Sequence, residues 1–186
     1  MESGLRSLLK ENRKALLFLG KFVGLYLVLN TGYGLFIEGY SPGTDPITMM
    51  VARNTQSLLS IFYQDITLHS TELSAHVTIA NKGLRIINVF EGCNSINVII
   101  VFLVFMISYG GPRKALIKFS VWGIVILYAI NLLRVSLLFW VAIYYPNSLY
   151  FFHKFFFTGI IYGCVFVLWY RWINQVRLHE SGTAAD

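Results

Sequence analysis

FSVWGIVILYAINLLRVSLLFWVAI, residues 119–143, carries one charge, Arg134, in twenty-five residues. About 20 helical residues cross the roughly 30 Å hydrocarbon core of a bilayer, so the stretch reads as a transmembrane helix. Three more windows read the same way. They are about 15–37, ALLFLGKFVGLYLVLNTGYGLFI; about 94–110, NSINVIIVFLVFMISYG; and about 155–173, FFFTGIIYGCVFVLWYRWI. The first is longer than the apolar run of a secretory leader, and no clear small-x-small cleavage site follows it, so it reads as a retained anchor. Composition agrees. Of 186 residues, 56% are hydrophobic and only 13% are charged, against about 25% charged in soluble domains. The expected fold class is an all-α integral membrane bundle of about four transmembrane helices, with a small helix plus β-hairpin cap on the extracytoplasmic side.

Charge sets the orientation. Arg6, Lys10, Arg13 and Lys14 precede the first span, Arg113, Lys114 and Lys118 lie between the second and third, and Arg171 and Arg177 end the fourth. These are nine of the fifteen basic residues. With four spans they share one side, and the positive-inside rule places both termini in the cytoplasm. Segment 38–92 has three basic residues, Arg53, Lys82 and Arg85, against five acidic ones. The net charge of +6 is thereby a topology signal facing anionic lipid, and no nucleic acid is expected as a partner.

Segment 38–92 is too long for a turn. YSPGTDP reads as a loop. ITMMVARNTQSLLSIF (47–62) has a helical apolar stripe and could lie along the membrane surface. DITLHS and AHVTIANKGLRIINVF are rich in β-branched residues, and Asn81-Lys82-Gly83 suits a tight turn between two strands. The spans and cap make one membrane domain, 1–175. The tail, 176–186, reads as disordered and cytoplasmic.

Three polar residues from separate regions fall at one depth. Cys93 lies at the outer mouth of span two and His153 at that of span four. Arg134 is fifteen residues into span three, about 22 Å at 1.5 Å per residue. That leaves it roughly 8 Å below the outer edge of the core, within snorkelling reach of the surface. An arginine inside a span costs about 2.5–3.5 kcal/mol on insertion scales, and such residues usually face the bundle interior and serve a site. Asn131 shares its helical face, and Asn97 shares that of Cys93 by the same spacing. Asn94 is a further candidate for orienting these groups.

A thiol beside positive charge is easier to ionise, an imidazole can return a proton to a leaving amine, and an arginine can hold a developing oxyanion. The set suits acyl transfer through a thioester. Taken singly, each residue has a plainer reading: a structural cysteine at a helix start, an interfacial histidine, an arginine paired with lipid phosphate. Cys164 lies some 16 Å deeper than His153 and reads as a core residue. His69 and His76 read as strand residues, Tyr144, Tyr145, Tyr150 and Trp172 as an interfacial aromatic belt, and Gly110-Gly111-Pro112 as a turn. No metal or other cofactor is implied. Two other classes remain: a non-enzymatic membrane subunit of an export or assembly system, whose polar trio is a binding pocket, and a thiol-redox protein. The second is weakened by the lack of another cysteine near Cys93.

VFEGCNSINV around Cys93, INLLRVSLL around Arg134 and LYFFHKFFFTGIIYG around His153 resemble, in order and spacing, the exosortase/archaeosortase family of membrane cysteine transpeptidases. The short four-span chain and the EGCN wording are most similar to the exosortase F type of Bacteroidota. Many members read Cys-Ser-Gly where this chain reads Cys93-Asn94-Ser95. The resemblance spans about residues 15–175. It implies Cys93, Arg134 and His153 as catalytic residues, with Glu91, Asn94, Asn97 and Asn131 as supporting or substrate-binding candidates. It further implies cleavage of C-terminal sorting signals on exported proteins and transfer of the new carboxyl end to an acceptor. The setting would be the outer face of a bacterial cytoplasmic membrane, facing the periplasm. The expected partners are those substrates, the lipid bilayer and a small membrane protein.

Overall fold

The computed structural model describes residues 12–183. Arg6 and Lys10 of the basic N-terminus and residues 184–186 of the tail lie outside that range. In chain order the elements begin with α1 (Arg13–Glu38), α2 (Pro46–Leu59), β1 (Ile66–His69), β2 (His76–Asn81) and β3 (Leu84–Phe90). A 3₁₀ turn (Glu91–Cys93) leads to α3 (Ile96–Tyr109) and α4 (Arg113–Tyr144). The last helical run comprises a 3₁₀ turn (Pro146–Ser148), the single turn α5 (Leu149–Phe151), a π-helical turn (Phe152–Phe156) and α6 (Phe157–Thr183).

Three of these helical runs are long and apolar enough to cross a membrane: α1, α4 and Pro146–His179, of 26, 32 and 34 residues. The expected span at 94–110 is shorter, because α3 has 14 residues, about 21 Å at 1.5 Å per residue. Its limits have local causes. Ser95 sits in the left-handed region at φ 64°, which breaks the helix before Ile96. At the other end Gly110 and Gly111, at φ 82° and 133°, stop it. The tail also differs from expectation. From residue 176 the chain continues the helix as far as Thr183.

Segment 38–92 forms one helix and an antiparallel sheet of order β1-β2-β3. Asp45 caps α2, accepting from the backbone N–H of Ile47 at 3.0 Å and Thr48 at 2.9 Å, with Pro46 in the first turn. The expected helix end at residue 62 falls instead at Leu59. Lys82 and Gly83 join β2 to β3, both with positive φ, 48° and 79°. Such angles match the right-handed twist of the strands they link. DITLHS supplies β1, a third strand beside the expected hairpin.

Two cores share the long α4. One gathers α2, the sheet, Cys93 and the later part of α4, including Val135 and Phe139. The other is purely helical: Phe102 and Met106 of α3, Leu127 of α4, and Val165 and Trp172 of α6. Gly123 leaves room for the Phe102 ring, which a Cβ there would meet. No residue of α1 is buried. It packs on α3, with the Phe18 and Phe105 rings edge-on at 5.6 Å. The start of α1 thus lies beside the end of α3. There the indole N–H of Trp172 donates to the Gly110 carbonyl at 3.1 Å. Trp172 is fully buried, so it leaves the expected aromatic belt; its indole finds a carbonyl that the glycine turn frees. Cys164 packs against the helical core as expected.

Candidate active site

β3 runs straight into the 3₁₀ turn that carries Cys93, which is only 5% exposed. Its Sγ lies 3.8 Å from Nε2 of His153. His153 belongs to the π-helical turn at the head of the last helix, a widening common at functional sites. The His153 carbonyl accepts from Thr158 Oγ1 at 3.2 Å. Rings pack around it, Phe152 on Phe156 at 5.3 Å and Phe156 on Phe157 at 5.2 Å.

Asn131 is fully buried and donates Nδ2–H to the Cys93 carbonyl at 2.8 Å. It ties α4 to the turn that holds the thiol. One helical turn on, Arg134 is half-buried and close enough for its charge to act on Cys93. The Arg134 Nε is buried without a hydrogen-bond partner, as is Asn131 Oδ1. Buried polar groups are normally paired, and an orphan calls for an explanation. A carbonyl oxygen brought in by a ligand would pair the guanidinium.

Burial pushes the Cys93 thiol up from its ordinary value. A hydrogen bond from the Phe90 backbone and the Arg134 charge pull it down, and Glu91 pushes it up again. Burial prevails, so the net shift is upward. The expected easing of ionisation by Arg134 is present but outweighed. Glu91, half-buried beside the thiol, acts on the site through its charge.

The asparagines of the EGCNSIN stretch part company. Asn94 is 1% exposed, and its Nδ2 donates to Tyr33 Oη of α1 at 2.7 Å and to Thr48 Oγ1 of α2 at 3.1 Å. Its Oδ1 accepts from the Ile96 N–H at 3.0 Å. Asn94 therefore fastens the turn after Cys93 to two helices and to the start of α3. Asn97 is exposed and is not brought into this cluster. The i,i+4 spacing that would set it under Cys93 requires a continuous helix. The 3₁₀ turn and the left-handed Ser95 break that register. Tyr33 and Thr48 carry no signal in the sequence that ties them to the Cys93 turn. Each looks ordinary in its own helix, and only the fold joins them, 61 and 46 residues from Asn94.

A cavity of about 380 Å³ opens beside Cys93 and His153. β3 forms one wall; Val135 and Leu138 of α4, with Leu149 and Tyr150, form the other. His69 and His76 lie on β1 and β2 and contact Thr67 and Ser74, each at 3.1 Å. Scans of protein-family models, curated proteins and solved structures find no match to this chain.

Proposed function

We propose that the chain is a membrane cysteine peptidase or transpeptidase with Cys93 as nucleophile, His153 as proton carrier and Arg134 as oxyanion partner. The observation that carries this reading is the 3.8 Å approach of Cys93 Sγ to His153 Nε2 at one end of a helical bundle. The unpaired Arg134 Nε beside them adds to it. In the first step Sγ bonds to the scissile carbonyl carbon while its proton passes to Nε2 of His153. The carbonyl electron pair moves to oxygen, facing the Arg134 guanidinium. The C–N bond then breaks, the leaving amine takes the proton from His153, and a thioester remains. An acceptor amine or water attacks the thioester, its proton passing through His153 back to the departing sulfur.

Topology is part of the same proposal. We count α3 as a fourth crossing beside the three long helices. The start of α4 and the ends of α3 and α6 then share the basic, cytoplasmic side with the start of α1. Segment 38–92 caps the opposite, periplasmic mouth around Cys93. A substrate anchored by an apolar C-terminal helix would meet the thiol where that helix leaves the bilayer. Confinement to the membrane raises its effective concentration. The cap would limit water and favour transfer over hydrolysis. The substrate class, an exported protein ending in a sorting signal, follows from the family resemblance.

The test is processing of a co-expressed exported protein ending in an apolar helix and a basic tail, followed by mass spectrometry of its C-terminus. Cys93→Ala is expected to abolish cleavage while still inserting in the membrane. Cleavage that survives in Cys93→Ala and Cys93→Ser returns the chain to the class of non-enzymatic membrane subunits.

A further inference from the structure

Among the described residues β3 is an edge strand, paired with β2 alone. Successive side chains of a strand point to opposite faces. Yet four consecutive residues, Ile86 to Val89, line the cavity beside Cys93. A bulge between Ile79 and Ala80 leaves Ile86 without a partner in the register, but Ile87, Asn88 and Val89 still alternate, and a space lined by all three reaches both faces of the strand at its edge. The cavity therefore runs beside the unpaired N–H and C=O groups of β3, which form a ready template for another strand.

We propose that this slot binds an extended polypeptide segment as a fourth strand beside β3 and delivers its carbonyl to Cys93. The inference rests on the nucleophile reading above and specifies how the substrate is held. The slot is walled: Val135 and Leu138 face β3 from α4, and Leu149 and Tyr150 close it. The cavity, about 380 Å³, has room for a few residues of one extended chain. A second copy of this protein, offering its own β3 edge, would bring a whole hairpin into space those residues fill. Main-chain pairing supplies affinity, and pockets for alternate side chains supply selectivity. The apolar wall selects uncharged, apolar side chains at alternate positions. From Ile86 to Val89 is three steps, about 10 Å at 3.3 Å each, enough to pair three or four substrate residues. β3 runs from the Lys82-Gly83 turn toward Cys93. The substrate residues upstream of the scissile bond accordingly lie parallel to it, ending at the sulfur.

The test uses the purified full-length protein in detergent micelles and the labelling rate at Cys93, mapped by mass spectrometry. The probes are iodoacetamide, acetyl-Val-Ala-Val chloromethyl ketone, and the same ketone N-methylated at one amide at a time. In each ketone reaction the thiolate sulfur displaces chloride and a thioether forms. N-methylation is expected to slow labelling about threefold to tenfold per hydrogen bond lost, and only at alternate amides, the ones facing β3. Hydrogen exchange at residues 84–90 should slow after labelling by the peptide ketone and not after iodoacetamide. Equal rates for all ketones, equal slowing at every amide, or no labelling by ketones where iodoacetamide succeeds would each overturn strand addition and leave the nucleophile standing. Failure of iodoacetamide to label Cys93 up to strongly alkaline pH would remove the nucleophile, and this inference with it.

Discussion

The two halves of α4 face opposite kinds of interior. Its first half packs on Phe102, Met106 and Trp172, an interior of rings and aliphatic chains. Its second half, from Asn131 onward, faces α2, the sheet and the Cys93 turn. Among the described residues, the buried polar side chains are Asp45, Thr48, Thr55, Thr78, Asn94, Ser95, Ser108 and Asn131. All but Ser108 belong to the sheet end. Burying a polar group costs free energy unless it is hydrogen-bonded. One end of the bundle therefore gains stability from packing, and the other spends part of it to hold polar groups in place. That contrast between a scaffold end and a reacting end is what substitutions should expose.

The largest contrast is between Arg134 and Phe102. Arg134→Met keeps the length of the side chain and removes its charge. Processing should fall about 10²–10³-fold, the usual cost of one oxyanion donor. Stability should hold or rise, since a half-buried, unpaired group is replaced by an apolar one. Phe102→Ala should do the reverse. Emptying a fully buried ring site costs about 3–5 kcal/mol, while activity per folded molecule stays near the original. Measured by denaturation and by processing per folded molecule, the two variants should separate cleanly. Collapse of both properties in both variants would erase the distinction between the ends.

Asn131 tests the seam between the two halves. Asn131→Leu removes the donor to the Cys93 carbonyl and leaves that carbonyl unpaired, at about 1–3 kcal/mol. Activity should fall further than stability alone explains, because the turn holding the thiol loosens against His153. Unchanged activity per folded molecule would make Asn131 a packing residue.

How much of this could be read from the chain depends on the range of each interaction. α1, α4 and the last helix are legible because length and hydropathy alone decide them. The Lys82-Gly83 turn is legible because its chemistry is local. Cys93, Arg134 and His153 share one depth in the sequence reading, and the fold brings Cys93 and His153 to 3.8 Å. The place of α3 was legible to within two residues, but its ends were not: the left-handed Ser95 starts it at Ile96 and Gly110 stops it after Tyr109. The roles of Asn94 and Trp172 were hidden for another reason. Their partners, Tyr33 and Gly110, lie 61 and 62 residues away, beyond anything spacing can show.

A smaller effect concerns acidity at the reacting end. Burial and Glu91 raise the Cys93 thiol, and Arg134 lowers it. For an acid so raised, the thiolate gathers only above the ordinary thiol range near 8.5. Alkylation by iodoacetamide should therefore climb with pH on the alkaline side of that value. Glu91→Gln removes a negative neighbour and should move the midpoint down. Arg134→Met removes a positive one and should move it up. Midpoints that ignore both changes would mean that solvent screens the site, contrary to its burial.

The smallest expected effect separates two neighbouring asparagines. Asn97→Ala should change processing less than about twofold and stability by no more than about 0.5 kcal/mol, the usual range for an exposed position. Asn94→Ala removes three hydrogen bonds to α1, α2 and the α3 start. It should lower thermal stability, with a loss of activity that follows the loss of fold. If Asn97→Ala instead cripples processing of a folded protein, the α3 helix must extend back through Ser95 in the working protein. Cys93 and Asn97 would then share a face, and the boundary between the scaffold and reacting ends would lie one turn deeper along α3.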